Sequence, residues 1–159
     1  MRKLLALALV TTALLSGCAS TVAFDPADDA ENALCADVVV RLPDTVGDDL
    51  ARRQTNSQGT AAWGDPSVAL LRCGVAIPGP TSTLLCYGIT VGDDTVYWLL
   101  DPAEDPNMVY TTYGREPATE VIVNREKVTP GVVLLDVSKA VAYTTETRTC
   151  TSIEDSLRN

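Results

Sequence analysis

The spacing of apolar residues predicts a helix near the start of the chain. Apolar side chains recur every four positions from Ala30 to about Leu42, which is the period of a helix with one buried face. Asp25 followed by Pro26 predicts that this helix begins there, since aspartate caps a first turn and proline fits the first helical position. Pro43 ends the helix, because the residue before a proline disfavours helical geometry.

A second helix is predicted near the end of the chain by the same signals. Thr129 precedes Pro130 in the capping arrangement. The residues that follow place small apolar side chains along one side of the helix, namely Val133, Val137, Ala140 and Val141.

Between the two helices, apolar runs separated by turn residues predict about five strands. They are a buried strand at 68–73, a hairpin of 84–91 with 95–100, and a second hairpin of 108–113 with 119–124, and the stretch 46–54 could add an edge strand. Residues 55–64 are interpreted as a loop. This order is typical of an α+β domain, in which an antiparallel sheet is flanked by an N-terminal and a C-terminal helix.

The first residues resemble a bacterial lipoprotein signal rather than part of the fold. Basic residues precede the apolar run Leu4–Leu14, which is too short to cross a hydrocarbon core of about 30 Å. Leu15-Ser16-Gly17-Cys18 then resembles a lipobox, whose cysteine is acylated before cleavage on its amino side. A plain secretory signal with a chance cysteine is the alternative. We expect a signal peptide at 1–17, a lipidated tether at 18–24, one domain at 25–150 and a polar tail at 151–159.

Four cysteines remain after lipidation of Cys18, and an even number in an exported chain indicates disulfide bonds. Four cysteines allow three connectivities. We expect Cys73–Cys86, because the two residues flank a strong turn signal at 77–80, together with Cys35–Cys150, which would join the two ends of the domain. No C-x-x-C motif occurs in the sequence, so neither a zinc knuckle nor a thioredoxin-type site is indicated.

Charge and composition exclude several classes of protein. The 159 residues carry a net charge of −9 and include no histidine, which excludes a Ser-His-Asp or Cys-His hydrolase and a histidine-bound metal. Loss of residues 1–17 removes two bases and no acid, so the net charge becomes −11. A surface this acidic argues against nucleic acid as a partner.

No metal and no cofactor is predicted. An acidic loop formed by Asp101, Glu104, Asp105 and Asn107 offers oxygen ligands that suit Ca²⁺. Its spacing does not match a calcium-binding loop, however, and two prolines stiffen it.

Four residues are candidates for a ligand or partner patch: Trp63, Asp65, Arg72 and Arg115. An indole, a carboxylate and two guanidinium groups could bind an anionic or polar ligand if the sheet brought them together. Each residue also has a purely structural interpretation. Trp63-Gly64-Asp65-Pro66 is standard turn chemistry, Arg72 could pair with a structural carboxylate, and Arg115 could decorate an exposed hairpin tip.

Several of these landmarks together resemble the actinobacterial envelope lipoproteins grouped as domain of unknown function 3515. The resemblance covers about Cys35 to Val141 and rests on the lipobox, Cys35, Leu42-Pro43, Trp63-Gly64-Asp65-Pro66, Leu71-Arg72-Cys73-Gly74-Val75, Trp98 and Thr112-Tyr113-Gly114-Arg115. It implies a small secreted or lipid-anchored domain on the outer face of the cytoplasmic membrane. It supplies no catalytic residue.

The sequence therefore favours a non-catalytic, lipid-anchored binding or accessory module of the cell envelope. Its expected partners are the membrane, through the N-terminal lipid, and an envelope protein or small ligand. The alternative is a cell-wall-directed hydrolase or transferase that uses paired carboxylates, with Asp65 and Asp101 as candidates.

Overall fold

The computed structural model describes residues 20–101 and 105–150. This part of the chain contains two helices, α1 (Ala33–Arg41) and α2 (Pro130–Val141). The strands are β1 (Thr45–Val46), β2 (Leu50–Arg53), β3 (Thr60–Trp63), β4 (Ala69–Val75), β5 (Leu85–Val91), β6 (Asp94–Asp101), β7 (Asn107–Tyr113), β8 (Arg115–Glu116), β9 (Ala118–Asn124) and β10 (Thr145–Glu146). The predicted signal peptide, Cys18 and the tail at 151–159 lie outside the described residues.

Eight of the strands form one antiparallel sheet in the order β1-β2-β3-β4-β9-β7-β6-β5, and β8 pairs separately with β10. The predicted α+β class is therefore confirmed, as are the hairpin of β5 with β6 and the pairing of β7 with β9. The predicted number of about five strands is wrong. The additional strands are only two to four residues long, and so short a segment carries little periodic signal of its own.

Strand β3 corrects the interpretation of residues 55–64 as a loop. All of its residues are buried, and it pairs with β4 from Thr60 opposite Arg72 to Trp63 opposite Ala69. A strand that is covered on both faces shows no alternation of polar and apolar residues. Its sequence, Thr-Ala-Ala-Trp, therefore gives no local indication that it forms a strand.

Helix α1 begins later than predicted. The Asn32 side chain caps it by accepting a hydrogen bond from the Leu34 N–H at 3.0 Å, so Asp25 is not the cap. The preceding residues instead form a turn that docks on the sheet, where the Asp29 N–H donates to the Gly74 carbonyl at 3.0 Å. The predicted end of the helix is confirmed, because Arg41 is its last residue.

Both helices lie against the same face of the sheet. That face presents Leu71, Val121, Tyr110 and Leu100, which are buried and occupy matching positions on β4, β9, β7 and β6. Helix α2 is tied to this face by the Trp98 indole N–H, which donates to the Ser138 hydroxyl at 3.0 Å. The predicted buried side of α2 is confirmed, since Val133, Val137, Ala140 and Val141 are all buried.

The disulfide bonds join Cys35 to Cys73 and Cys86 to Cys150, with Cα–Cα distances of 5.4 and 6.6 Å. The expected pairs Cys73–Cys86 and Cys35–Cys150 are wrong. Cys73 is on β4 and Cys86 is on β5, and β9, β7 and β6 separate these strands. Four strand spacings put them roughly 19 Å apart, far beyond the span of a disulfide. The turn between them does not form a hairpin of β4 with β5.

The described part of the predicted tether, residues 20–24, lies against the domain. Val22 bridges to Thr55 in the connection between β2 and β3. The Arg53 guanidinium donates to the Ser20 carbonyl at 2.8 Å, and the Phe24 N–H donates to the Asn56 side chain at 2.9 Å. This segment is therefore attached at the β2–β3 end of the sheet.

Candidate functional site

Two of the four predicted patch residues are internal. Trp63 is fully buried on the helix-covered face, and its indole N–H donates to the Pro43 carbonyl at 3.1 Å. Arg115, predicted at an exposed hairpin tip, is only 2% exposed. The C-terminal segment covers it, and its guanidinium donates to the carbonyls of Ala142, Thr144 and Thr95. Both side chains hold parts of the fold together.

The other two patch residues lie apart from them. The Asp65 side chain is 84% exposed in the turn between β3 and β4, where it pairs with Arg53 at 2.9 Å. Arg72 is on the face of the sheet away from the helices, where its Nε–H donates to Glu120 at 2.7 Å and its guanidinium lies 5.7 Å from the Phe24 ring centroid. The structure thus does not bring the four residues together.

The candidate carboxylate pair is also separated. Asp65 follows β3, while Asp101 ends β6, and β4 to β6 alone is three strand spacings, or roughly 14 Å. The two carboxyl groups of a glycosidase lie within about 9.5 Å of each other. In the acidic loop, Asp105 is engaged by Arg125 through contacts of 2.6 and 2.9 Å. Within residues 20–101 and 105–150, no cluster of three metal-binding side chains occurs.

A groove of about 520 Å³ lies between α1 and the segment that runs from β2 to β3. One wall is the exposed side of α1, with the small apolar side chains of Ala36, Val39 and Val40. The opposite wall is polar and consists of Gln54, Thr55, Ser57, Gln58 and Thr60. We call this feature the α1 groove.

Arg52 of β2 lines the α1 groove near the C-terminal end of α1. Its position opposite Trp63 directs it to the helix-covered face, where its guanidinium donates to the carbonyls of Val39 at 3.0 Å and Leu42 at 3.2 Å. Arg53, Arg72 and Arg115 each form an ion pair. No described carboxylate forms an ion pair with Arg52.

Burial lowers the pKa of the Arg52 guanidinium, and the negative charge of Asp44 offsets part of this effect. Arginine nevertheless stays protonated at all physiological pH values. The α1 groove therefore holds a partly desolvated positive charge that is stabilised by two carbonyl dipoles and, without a direct ion pair, by the negative charge of Asp44. A bound anion would interact with that charge more strongly than in water, because the surroundings are less polarisable.

The two ends of the α1 groove carry opposite charges. Arg52 contacts the carbonyls at the C-terminal end of α1, while Glu31 lines the groove just before its N-terminal end. The nine residues of α1 span about 13 Å. The groove therefore has a cation at one end and an anion at the other, with an apolar wall and a polar wall between them.

Arg52 was not a predicted site residue. In the sequence it belongs to the weakly patterned stretch 46–54, and its neighbour Arg53 looks equivalent to it. The signal that could have found the groove is Gln54-Thr55-Asn56-Ser57-Gln58, a run of amide and hydroxyl side chains directly after the two arginines. Only the side of β2 on which each arginine lies distinguishes them.

Together, the fold and the groove define a small α+β domain that is crosslinked by two disulfides and carries one elongated polar groove between a helix and a strand connection. The profile of the family described as "Protein of unknown function (DUF3515)" matches residues 3–150. The chain belongs to this family. No curated protein sequence and no solved structure matches it.

Proposed function

We propose that the protein is a lipid-anchored module outside the cytoplasm that binds a short zwitterionic ligand in the α1 groove. The chemical class that fits is a peptide of about four residues with a free carboxylate and a free ammonium group. Arg52 carries this proposal, because it is a partly buried cation that lines the groove and forms no ion pair with a described carboxylate.

The carboxylate of the ligand is expected at Arg52. Two of the five guanidinium N–H donors are used by the Val39 and Leu42 carbonyls, which fix the side chain and leave donors for a ligand. A hydrogen bond between charged partners contributes about 1.5–3 kcal/mol. Because the carbonyls already hold the guanidinium, little side-chain entropy is lost when the ligand binds.

The ammonium group of the ligand is expected near Glu31, at the other end of the α1 groove. Four extended residues span about 13 Å, which matches the length of α1. Between the two ends, the amides of Gln54 and Gln58 offer donors and acceptors for a peptide backbone. The small side chains on the α1 wall leave room for it.

The test is calorimetric titration of the full chain in detergent with tetra-alanine, tetra-alanine amide and N-acetyl-tetra-alanine. We expect the free peptide to bind and each blocked peptide to bind at least about tenfold more weakly, since each lacks one charged contact. The Arg52→Met variant should bind the free peptide at least about tenfold more weakly than the natural protein does. Arg53→Met is the matched control, because it removes the adjacent arginine on the opposite side of β2. Equal binding by the Arg52→Met and Arg53→Met variants would contradict the proposal.

The anchor is a separate part of the proposal. It is supported by the lipobox-like Leu15-Ser16-Gly17-Cys18 and by two disulfide bonds, which persist in oxidising compartments. Denaturing mass spectrometry of protein extracted from its own membranes tests it. We expect the mass of residues 18–159 plus acyl chains, less four hydrogens. A Cys18→Ser variant should lack the acyl mass; an unmodified Cys18 in the natural protein would refute the anchor but not the ligand site.

A further inference from the structure

The two edges of the main sheet differ in how they are protected. One edge is β1, which has only two residues, and short edge strands are a common defence against unwanted pairing. The other edge is β5, which has seven residues and pairs with β6 at every one of them without a register shift. Within the described residues nothing pairs with its other side. Strand β5 therefore presents a long row of backbone donors and acceptors.

The β5 edge lacks the usual features that prevent association. Its sequence, Leu-Cys-Tyr-Gly-Ile-Thr-Val, contains no charged residue and no proline. The described part of the chain exposes eight large hydrophobic side chains, and five of them lie at β5 or line a cavity that adjoins it. They are Leu84, Leu85 and Tyr87 at β5, with Leu135 and Tyr143 on and just after α2. Such a concentration of exposed apolar groups marks an interaction surface.

A cavity of about 460 Å³ adjoins this edge. The end of β5 and its turn form one side of it, through Thr90, Val91 and Gly92. Helix α2 and the residues after it form the other, through Leu135, Lys139, Ala142 and Tyr143. Val91 and Asp94 both line the cavity, and its volume leaves space for a side chain supplied from outside.

We infer that β5 pairs antiparallel with β5 of a second copy of this chain, about a two-fold axis at Gly88, so that two sheets become one. The pattern of β5 is symmetric about that residue. With Gly88 opposite its counterpart, Tyr87 lies opposite the partner's Ile89, and Leu85 lies opposite the partner's Val91. All four side chains are on the helix-covered face, because they are paired in register with Leu100, Trp98, Val96 and Asp94 of β6.

This register gives each cavity an occupant. Leu85, which is 62% exposed, comes to lie beside the partner's Val91, which lines the same cavity as Leu135 and Tyr143. The contact is repeated by the symmetry, as in any isologous interface. Strand β5 itself is uncharged, while the whole chain carries −9. Salt should strengthen the dimer by screening the repulsion between the two acidic copies.

Sedimentation equilibrium of the full chain in density-matched detergent measures the association. We expect a dimer, and we expect Leu85→Asp to weaken it by about tenfold or more, because the symmetry places two added negative charges in the interface, each near Asp94 of the other copy. The matched control is Ile77→Asp, which changes another exposed aliphatic residue (48% exposed) just after β4 and should leave the dimer unchanged. A monomeric natural chain, or equal association of the two variants, overturns the proposal.

Photo-crosslinking from position 91 tests the register in a chain that is otherwise natural. Benzoylphenylalanine at position 91 should give a covalent dimer, and peptide mapping should place the crosslink near Leu85 of the second copy. A crosslink to residues 151–159 of the same chain, or to a different protein, would show that something else covers β5 and would refute the dimer. Neither measurement depends on the α1 groove.

Discussion

Replacement of Arg115 by alanine should be among the most destabilising single substitutions in this protein. The guanidinium joins three elements: it donates to Thr95 at the start of β6, to Ala142 and Thr144 just after α2, and to the carboxylate of Glu146 on β10, at 2.9 to 3.2 Å. Alanine removes all four contacts at once.

The size of the effect follows from the burial of these groups. Each carbonyl that loses its hydrogen-bond partner lowers the free energy of unfolding by about 1 kcal/mol or somewhat more, depending on how far water can replace the guanidinium. The Glu146 side chain is 43% exposed, so it regains water and adds little. With the lost packing of the arginine side chain, the sum is about 3–5 kcal/mol, a large part of a typical stability of roughly 5–15 kcal/mol.

Urea unfolding with the disulfides intact measures this loss. For an m-value near 2 kcal/mol/M, the midpoint should fall by roughly 2 M. If the alanine variant does not fold, Arg115→Lys provides a milder change, because lysine keeps the charge but can reach fewer of the acceptors. We expect it to lose about half as much stability.

Arg125→Ala is the matched control. Arg125 also binds a carboxylate, that of Asp105, but its side chain is 53% exposed. Exposed ion pairs contribute little to stability, so this midpoint should stay at that of the natural protein. If Arg115→Ala shifted the midpoint no more than Arg125→Ala, the idea that a buried arginine holds the C-terminal segment would be refuted.

Two further predictions concern the backbone and alkaline pH. Gly74→Ala should lower the melting temperature, because Gly74 has φ +91° and a Cβ there would collide with the Asp29 backbone; Gly79→Ala, where a Cβ meets no atom within 4 Å, should leave it almost unchanged. Burial, reinforced by Tyr87, raises the pKa of Tyr110. The Tyr110 hydroxyl of the unfolded chain therefore ionises first as pH rises above about 10, and the folded protein loses stability there. Urea midpoints compared at pH 9 and pH 11 measure this loss, and Tyr110→Phe should reduce it.

The elements that could be predicted are those whose signals are local. The hairpin of β5 and β6 follows from apolar runs around Gly92, and α2 follows from Pro130 and a four-residue apolar period. Strand β3 gives no such signal, because all four of its residues are buried and polar and apolar residues do not alternate along it. Its stability comes from pairing with residues that are distant in sequence.

The candidate site shows the same limit. Arg115 was predicted on an exposed tip because the sequence around it is a turn, yet a segment some thirty residues later covers it. Arg52 and Arg53 are adjacent residues of the same type, and they lie on opposite sides of β2. For this reason Arg52 lines the α1 groove, while Arg53 pairs with Asp65. The disulfide pairing likewise depends on the insertion of β9 beside β4, which no spacing of cysteines reveals.

The connectivity of the disulfides has a consequence for how the chain is oxidised. After Cys18, the first cysteine bonds to the second and the third to the fourth, so the loops 35–73 and 86–150 do not overlap. A chain that emerges with its N-terminus first exposes Cys73 to Cys35 before Cys86 has appeared. An oxidant that simply joins consecutive thiols then produces the native pairing without an isomerase, and the proposed acylation of Cys18 would withdraw the thiol that otherwise comes first in this order.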